Sequence, residues 1–166
     1  MLIHLSIFYI GATSRLVVGA LLLLASLSKA LRFSWFVRAL VEFQIVPRRF
    51  SPFAALTIFL AESVTGVLLI WGRLERLAAY SAVALFGCFI AAIAVNLARG
   101  RFDIECGCLT FWKKSKIGWH LLFRNIGFAG LALLSTLPDD RGIAVIPTGF
   151  FLVFLALSVL PLFFSS

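Results

Sequence analysis

Residues 52–71 read PFAALTIFLAESVTGVLLIW, a run of twenty positions in which Glu62 carries the only charge. At the helical rise of 1.5 Å per residue, such a run is about 30 Å long, which matches the hydrocarbon thickness of a bilayer. Pro52 suits the first turn of a helix, where its missing N–H is not needed. The run therefore predicts a transmembrane helix that buries one carboxylate.

Similar apolar runs lie on both sides of this segment, at about residues 5–30, 77–97, 117–137 and 143–164. Pro147 and Pro161 fall inside the last run and can kink or shorten it. If the first four helices alternate in direction, the chain forms an all-α membrane protein. We expect an antiparallel four-helix transmembrane bundle plus a fifth transmembrane helix, in a single multi-pass domain over residues 1–166.

The composition supports the membrane class. Hydrophobic residues make up 62% of the chain and charged residues 13%, and the mean hydropathy is +1.08. Soluble domains are about half apolar and a quarter charged. The net charge of +8 comes mainly from short loops beside apolar runs, where basic residues orient helices and touch lipid head groups. It therefore does not indicate nucleic-acid binding. Met1 to Ala12 contain no Lys or Arg, so we interpret the first run as a retained helix rather than a signal peptide.

Two charged residues lie inside the predicted helices at similar depth. In the alternating arrangement, Glu62 and Arg124 are both roughly 12–15 Å below the same membrane face. Because an isolated charge at that depth is costly, we predict a buried Glu62–Arg124 pair. Its expected polar neighbours are Asn96, His120 and Asn125. We interpret His4, Arg15 and Lys29 as interface anchors, and Trp35 likewise.

The polar loop at about residues 98–116 contains the motif DIECGC at residues 103–108. A disulfide between Cys106 and Cys108 would close a small strained ring, which is easily reduced, and Gly107 makes the ring sterically feasible. A close pair of thiols in a polar loop therefore indicates thiol–disulfide chemistry. Two alternatives remain open, namely half of a metal site and two idle thiols. Cys88 lies in the middle of a predicted helix and is most simply a small apolar filler.

Several motifs together resemble one membrane family. They are Ser28-Lys29-Ala30-Leu31, Pro47, Glu62 followed by Gly66, Asn96-Leu97-Ala98-Arg99-Gly100-Arg101, the motif at 103–108, and Gly118-Trp119 followed by Arg124-Asn125. Over about Arg15 to Leu137 the chain resembles the methylamine-utilisation MauE family, which belongs with the DoxX-like integral membrane proteins.

The resemblance implies a role in disulfide formation at the bacterial inner membrane. Cys106 and Cys108 would oxidise a periplasmic thioredoxin-like partner during maturation of a target enzyme, and the electrons would pass to quinone. Glu62, His120 and Arg124 would then hold the quinone, and no metal is expected.

The charge distribution and the resemblance disagree on orientation. Lys and Arg concentrate on the face that carries the cysteine loop, which the positive-inside rule places in the cytoplasm. The implied role needs an oxidising compartment, so we expect the loop to face the periplasm.

Two other functions are compatible with the sequence. One is a non-catalytic membrane assembly factor that docks a soluble partner and does not need its cysteines. The other is a small carrier of metal or metabolite, which five helices accommodate poorly without oligomerisation.

Overall fold

The computed structural model describes residues 2–72, 74–104 and 117–136, with side chains from Ile10 onward. These residues form five α-helices and one short 3-10 helix at Arg48–Phe50. The α-helices are α1 (Leu2–Leu31), α2 (Phe33–Phe43), α3 (Ser51–Trp71), α4 (Glu75–Ala98) and α5 (Trp119–Leu134). Residues 105–116, with Cys106, Gly107 and Cys108, and the predicted fifth transmembrane run lie outside the described residues.

Three stretches of the described residues are long and apolar enough to cross a membrane. They are Ile10–Leu31, Arg48–Trp71 and Glu75–Ala98, of 22, 24 and 24 residues. Helix α5 is apolar but has 16 residues, somewhat short of a full span. The predicted all-helical, multi-pass membrane class is confirmed. The antiparallel order of four helices and the fifth helix stay predictions.

The connection between the first two predicted spans contains a helix that was not predicted from the sequence. Helix α2 buries Phe36 and Ala39 and exposes Ser34, Arg38 and Glu42. It ends at Gln44, whose φ of 50° is left-handed and turns the chain toward α3. The one-sided apolar spacing of residues 36, 39 and 43 suits such a short amphipathic helix.

Helices α1 and α3 approach each other at two glycines. A Cβ on Gly19 would lie 2.8 Å from Cγ1 of Ile70 and 3.1 Å from the carbonyl oxygen of Gly66. A Cβ on Gly66 would lie 2.9 Å from Cγ of Leu23. Small residues at such a crossing let two membrane helices pack backbone to backbone. This contact fixes the register that brings Lys29 near Glu62.

The packed interior has two parts. Helix α1 contacts α3 and α5, and α4 also contacts α3 and α5. A larger apolar cluster fills the space between them and comprises Val18, Leu22, Leu69, Ala78, Ala79, Ala82, Phe86 and Ala132. A smaller cluster, which we call the loop-end cluster, comprises Ile93, Leu97, Ile104, Ile117 and Leu121. The loop-end cluster lies where α4 ends and α5 begins, at the ends of the cysteine loop.

Large apolar side chains on α3 point away from this interior. The exposed set is Phe53, Leu56, Leu60, Val64, Val67 and Trp71. A continuous apolar stripe of this kind is rare on a soluble monomer but is expected where a helix meets lipid. The stripe agrees with the membrane class of the chain.

Candidate functional site

A fully buried ion pair joins α1 to α3. The Nζ of Lys29 lies 2.7 Å from Oε1 and 2.8 Å from Oε2 of Glu62, so the ammonium donates to both carboxylate oxygens. The two side chains are 0% and 1% exposed. At this burial each charge would be very costly alone, so the two residues have to be present together.

Two aromatic rings complete the surroundings of the ammonium group. The Nζ of Lys29 lies 5.2 Å from the ring centroid of Phe36 on α2 and 5.7 Å from that of Phe89 on α4. Both distances fall within the range of cation–π attraction. The pair is thus enclosed by residues from four elements, and α2 forms part of its cover.

A small cavity adjoins the carboxylate. Its volume is about 20 Å³, and all four long helices line it. The lining residues are Leu21, Leu22, Ala25, Glu62, Phe86, Phe89, Arg124, Asn125 and Phe128. Asn125 is buried and donates from Nδ2 to the carbonyl oxygen of Leu121 at 2.8 Å. The guanidinium carbon of Arg124 lies 6.0 Å from the ring centroid of Phe128.

The size of this cavity limits what it can hold. A volume of about 20 Å³ accommodates one water molecule, which needs roughly 10–15 Å³ by the same measure. In this arrangement of the helices the cavity between Glu62 and Arg124 is smaller than a quinone ring. The assignment of a quinone to Glu62, His120 and Arg124 stays a prediction.

The structure adds a partner that was not predicted. Glu62 is buried as predicted, Lys29 contacts both of its carboxylate oxygens, and Arg124 lies with Glu62 in the wall of the adjoining cavity. The Glu62–Arg124 pair stays a prediction. The interpretation of Lys29 as an interface anchor is wrong, because its side chain is fully buried. Arg15 is likewise buried and forms an ion pair with Glu75 at the start of α4. The two glycines that set the register of α1 against α3 were the available signal for the Lys29–Glu62 pair.

Asn96 organises the point where α4 passes into the cysteine loop. It is fully buried and donates from Nδ2 to the carbonyl oxygen of Ala92 at 3.0 Å. Its Oδ1 accepts from a guanidinium nitrogen of Arg101 at 3.4 Å, and its carbonyl oxygen accepts from the backbone N–H of Arg101 at 3.0 Å. Asn96 therefore holds the first residues after α4 and is not among the residues that line the cavity.

Ile104 and Ile117, which flank residues 105–116, are joined by a backbone hydrogen bond. The N–H of Ile117 donates to the carbonyl oxygen of Ile104 at 2.8 Å. Both isoleucine side chains are buried in the loop-end cluster, and Phe43 at the end of α2 packs against that cluster. We call Ile104, Ile117 and this hydrogen bond the neck. The neck fixes where residues 105–116 leave and rejoin the helices.

The remaining predicted site residues do not join the cavity. His120 is exposed in the first turn of α5, so the predicted grouping of Glu62, His120 and Arg124 is only partly formed. Cys88 is exposed on α4. Within residues 2–72, 74–104 and 117–136, no three His, Cys, Asp or Glu side chains come together as a metal site. The expectation that no metal is needed stays a prediction.

Comparison with known proteins gives a consistent family. The family model "Methylamine utilisation protein MauE" matches residues 7–138. The chain is 34% identical over 119 residues to the methylamine utilization protein MauE of Paracoccus denitrificans, covering 72% of this chain and 64% of that protein. It is 36% identical over 136 residues to the MauE protein of Paracoccus versutus, covering 80% of this chain and 73% of that protein.

A further relative extends the agreement. The MauE protein of Methylophilus methylotrophus is 35% identical over 120 residues, which cover 71% of this chain and 63% of the relative. The chain thus spans less than two thirds of two of these three relatives. No solved structure matches the chain. Matches over most of its length, on a multi-pass helical membrane fold, show that this chain belongs to the MauE family.

Proposed function

We propose that this chain is a membrane thiol–disulfide oxidoreductase that serves methylamine utilisation. In this proposal the Cys106–Cys108 disulfide oxidises a soluble thioredoxin-like partner in the periplasm, and the partner introduces disulfides into a target enzyme. The relatives are named for methylamine utilisation, which supports the physiological part of the proposal.

The observation that carries the proposal is the neck. The loop that contains the Cys-Gly-Cys sequence is anchored at both ends, by Ile104 and Ile117, in a buried cluster at one end of the helices. The two residues that flank the Cys-Gly-Cys segment are therefore held together at the end of the helices. This anchoring supports a role in which two thiols meet a soluble partner at the membrane surface.

The proposed reaction is a thiol–disulfide exchange between the partner's two thiols and the Cys106–Cys108 disulfide. One partner thiolate attacks a sulfur of the Cys106–Cys108 bond, which breaks as a mixed disulfide forms and the other cysteine leaves as a thiolate. The second partner thiolate then attacks the mixed disulfide. The partner ends as a disulfide, Cys106 and Cys108 end as thiols, and two electrons and two protons have passed to the chain.

Closing the cycle requires an oxidant, which we propose is a membrane quinone. A quinone supplies two-electron, two-proton oxidation when bound. Within the described residues, Glu62, Arg124 and Asn125 line a cavity that is too small for its ring. We therefore assign these residues, with Asn96, to positioning of the helices under the loop, and we do not assign the quinone a site.

The membrane arrangement is part of the same proposal. We propose a bacterial inner-membrane protein in which α1, α3, α4 and α5 form an antiparallel bundle and residues 143–164 add a fifth transmembrane helix. The contacts of α1 with α3 and α5, and of α4 with the same two helices, support the bundle. The loop end would face the periplasm, because a disulfide persists there more readily than in the cytoplasm.

Replacing Cys106 and Cys108 together by Ser tests this function. We expect the double variant to insert and fold but to lose maturation of the target enzyme, while Cys88→Ser keeps it. With either cysteine left alone, mass spectrometry of the trapped complex should find a mixed disulfide with the partner. Full activity of the double serine variant would favour the alternative, a non-catalytic assembly factor that docks the partner without using its thiols.

A further inference from the structure

Helix α2 has a side that no other described element covers. Ser34, Arg38 and Glu42 are exposed and follow one another at intervals of four residues, so they form one strip along the helix. The opposite side, with Phe36 and Ala39, is buried against the transmembrane helices. A helix that lay in the acyl chains would expose apolar residues, so a wholly polar strip indicates that this side faces water.

This strip lies close to the cysteine loop. Phe43, the last residue of α2, packs against the loop-end cluster that contains Ile104 and Ile117. Cys106 follows Ile104 by two residues in the sequence. An extended chain covers at most about 3.6 Å per residue, so covalent geometry alone keeps Cys106 within roughly 7 Å of Ile104. The end of α2 therefore lies beside the point from which the chain continues to Cys106.

The surroundings of the strip are basic. Among the described residues of this end, the exposed arginines outnumber the exposed acids. The arginines are Arg32, Arg38, Arg48, Arg49 and Arg99, and the acids are Glu42 and Asp103. Charges of one sign around a reactive group attract partners of the opposite sign and raise the association rate.

We propose that the polar strip of α2 and the adjacent 3-10 helix form the docking surface for a soluble dithiol protein that is acidic around its thiols. The proposal rests on the proposed function, since it concerns how the partner reaches Cys106 and Cys108. The strip on α2 is polar throughout and includes the acidic Glu42, which favours a protein over a lipid bilayer as its partner. We call Arg38, Arg48 and Arg49 the docking arginines.

The test compares dithiols that differ only in flanking charge. The probes are two Cys-x-x-Cys peptides, one flanked by glutamates and one by lysines, together with dithiothreitol. Oxidised protein in phosphatidylcholine nanodiscs is mixed with each reduced probe at low salt, and the second-order rate of a single turnover is measured. We expect the glutamate peptide to react about tenfold faster than the lysine peptide, and high salt to remove most of the difference.

In the variant Arg38→Gln/Arg48→Gln/Arg49→Gln, the glutamate peptide and the lysine peptide should react at similar second-order rates. The rate with dithiothreitol should stay unchanged. Arg76→Gln, which removes an exposed arginine at the start of α4, is the matched control and should keep the wild-type ratio. A ratio unaffected by the triple substitution would overturn the docking proposal. The same result, with native mass spectrometry showing that these arginines retain phosphatidylglycerol, would assign the surface to lipid.

Failure of the proposed function gives a different result. If wild-type protein oxidises none of the three probes, dithiothreitol included, the thiol chemistry itself is refuted. If dithiothreitol reacts but the peptides show no preference, the chemistry stands and the docking surface is refuted.

Discussion

Lys29 carries its charge on a fully buried side chain. Such a charge persists only if neighbouring groups replace its hydration. Glu62 supplies both carboxylate oxygens at hydrogen-bond distance, and the rings of Phe36 and Phe89 supply cation–π attraction. The Lys29 side chain thus connects α1, α2, α3 and α4 at one point. Its removal should weaken the packing of all four helices.

Substitution of either member of the pair should therefore destabilise the protein strongly. We expect Lys29→Met or Glu62→Gln alone to cost about 3–5 kcal/mol, because the remaining charge is left buried. The double variant should cost less than the sum of the two, with a coupling of about 1 kcal/mol or more. Thermal unfolding in detergent measures this, and the exposed Glu42→Gln is the control. Additive single effects would contradict the pairing.

Part of this site could be predicted from sequence. An acid in the middle of an apolar run had to be buried beside a cation, and Glu62 is buried beside Lys29. That Lys29 contacts Glu62 could not be read from helix depth, because depth counts Cα positions. Lys29 lies near the end of α1, but its long side chain reaches the carboxylate of Glu62.

Gly19 and Gly66 decide how closely α1 and α3 approach. With no Cβ at either position, each glycine lies close to the backbone carbonyl of the other. Every contact farther along the two helices, the Lys29–Glu62 pair included, depends on this spacing. The close approach of α1 and α3 is therefore required for the Lys29–Glu62 pair to form.

Gly66→Ala should separate the two helices and lower the melting temperature. The new Cβ would lie 2.9 Å from Cγ of Leu23 and 3.1 Å from the carbonyl oxygen of Gly19, so either a side chain or the backbone must move. We expect a loss of about 1–3 kcal/mol. Gly87→Ala on α4 is the matched control, because a Cβ at that position would have no described neighbour within 4 Å, and it should be neutral. Equal melting temperatures for the two variants would argue against a tight crossing.

The long helices follow from the sequence because an apolar run of bilayer length has few alternatives in lipid. Helix α2 was harder to predict, since eleven residues are short and its stability comes from packing Phe36 and Ala39 onto other helices. The neck could not be foreseen at all. The hydrogen bond between Ile104 and Ile117 joins residues on either side of a long polar segment, and no local pattern marks them as neighbours.

The whole molecule has two differently charged ends. At the described loop end, exposed arginines surround α2 and the end of α4, whereas at the other end Arg15 is buried against Glu75 and Arg76 is exposed. This asymmetry favours the cytoplasm for the loop end by the positive-inside rule, and the proposed chemistry favours the periplasm. Direct labelling of the cysteines distinguishes the cytoplasmic from the periplasmic orientation of the loop end.

We expect the loop end to be accessible from outside the cell. In a Cys88→Ser background, an impermeant maleimide should label reduced Cys106 and Cys108 in intact cells. The control is Arg76→Cys in a chain with no other cysteine, which should be labelled only after the membrane is permeabilised. The reverse pattern would place the loop in the cytoplasm and remove the basis for a periplasmic partner.

The hydrogen bond from Ile117 to Ile104 separates the scaffold from whatever lies between these residues. Since both ends enter the helices at one fixed point, residues 105–116 can be exchanged for a different or longer sequence at little entropic cost. Such an exchange would leave the buried helices and the polar strip of α2 unchanged.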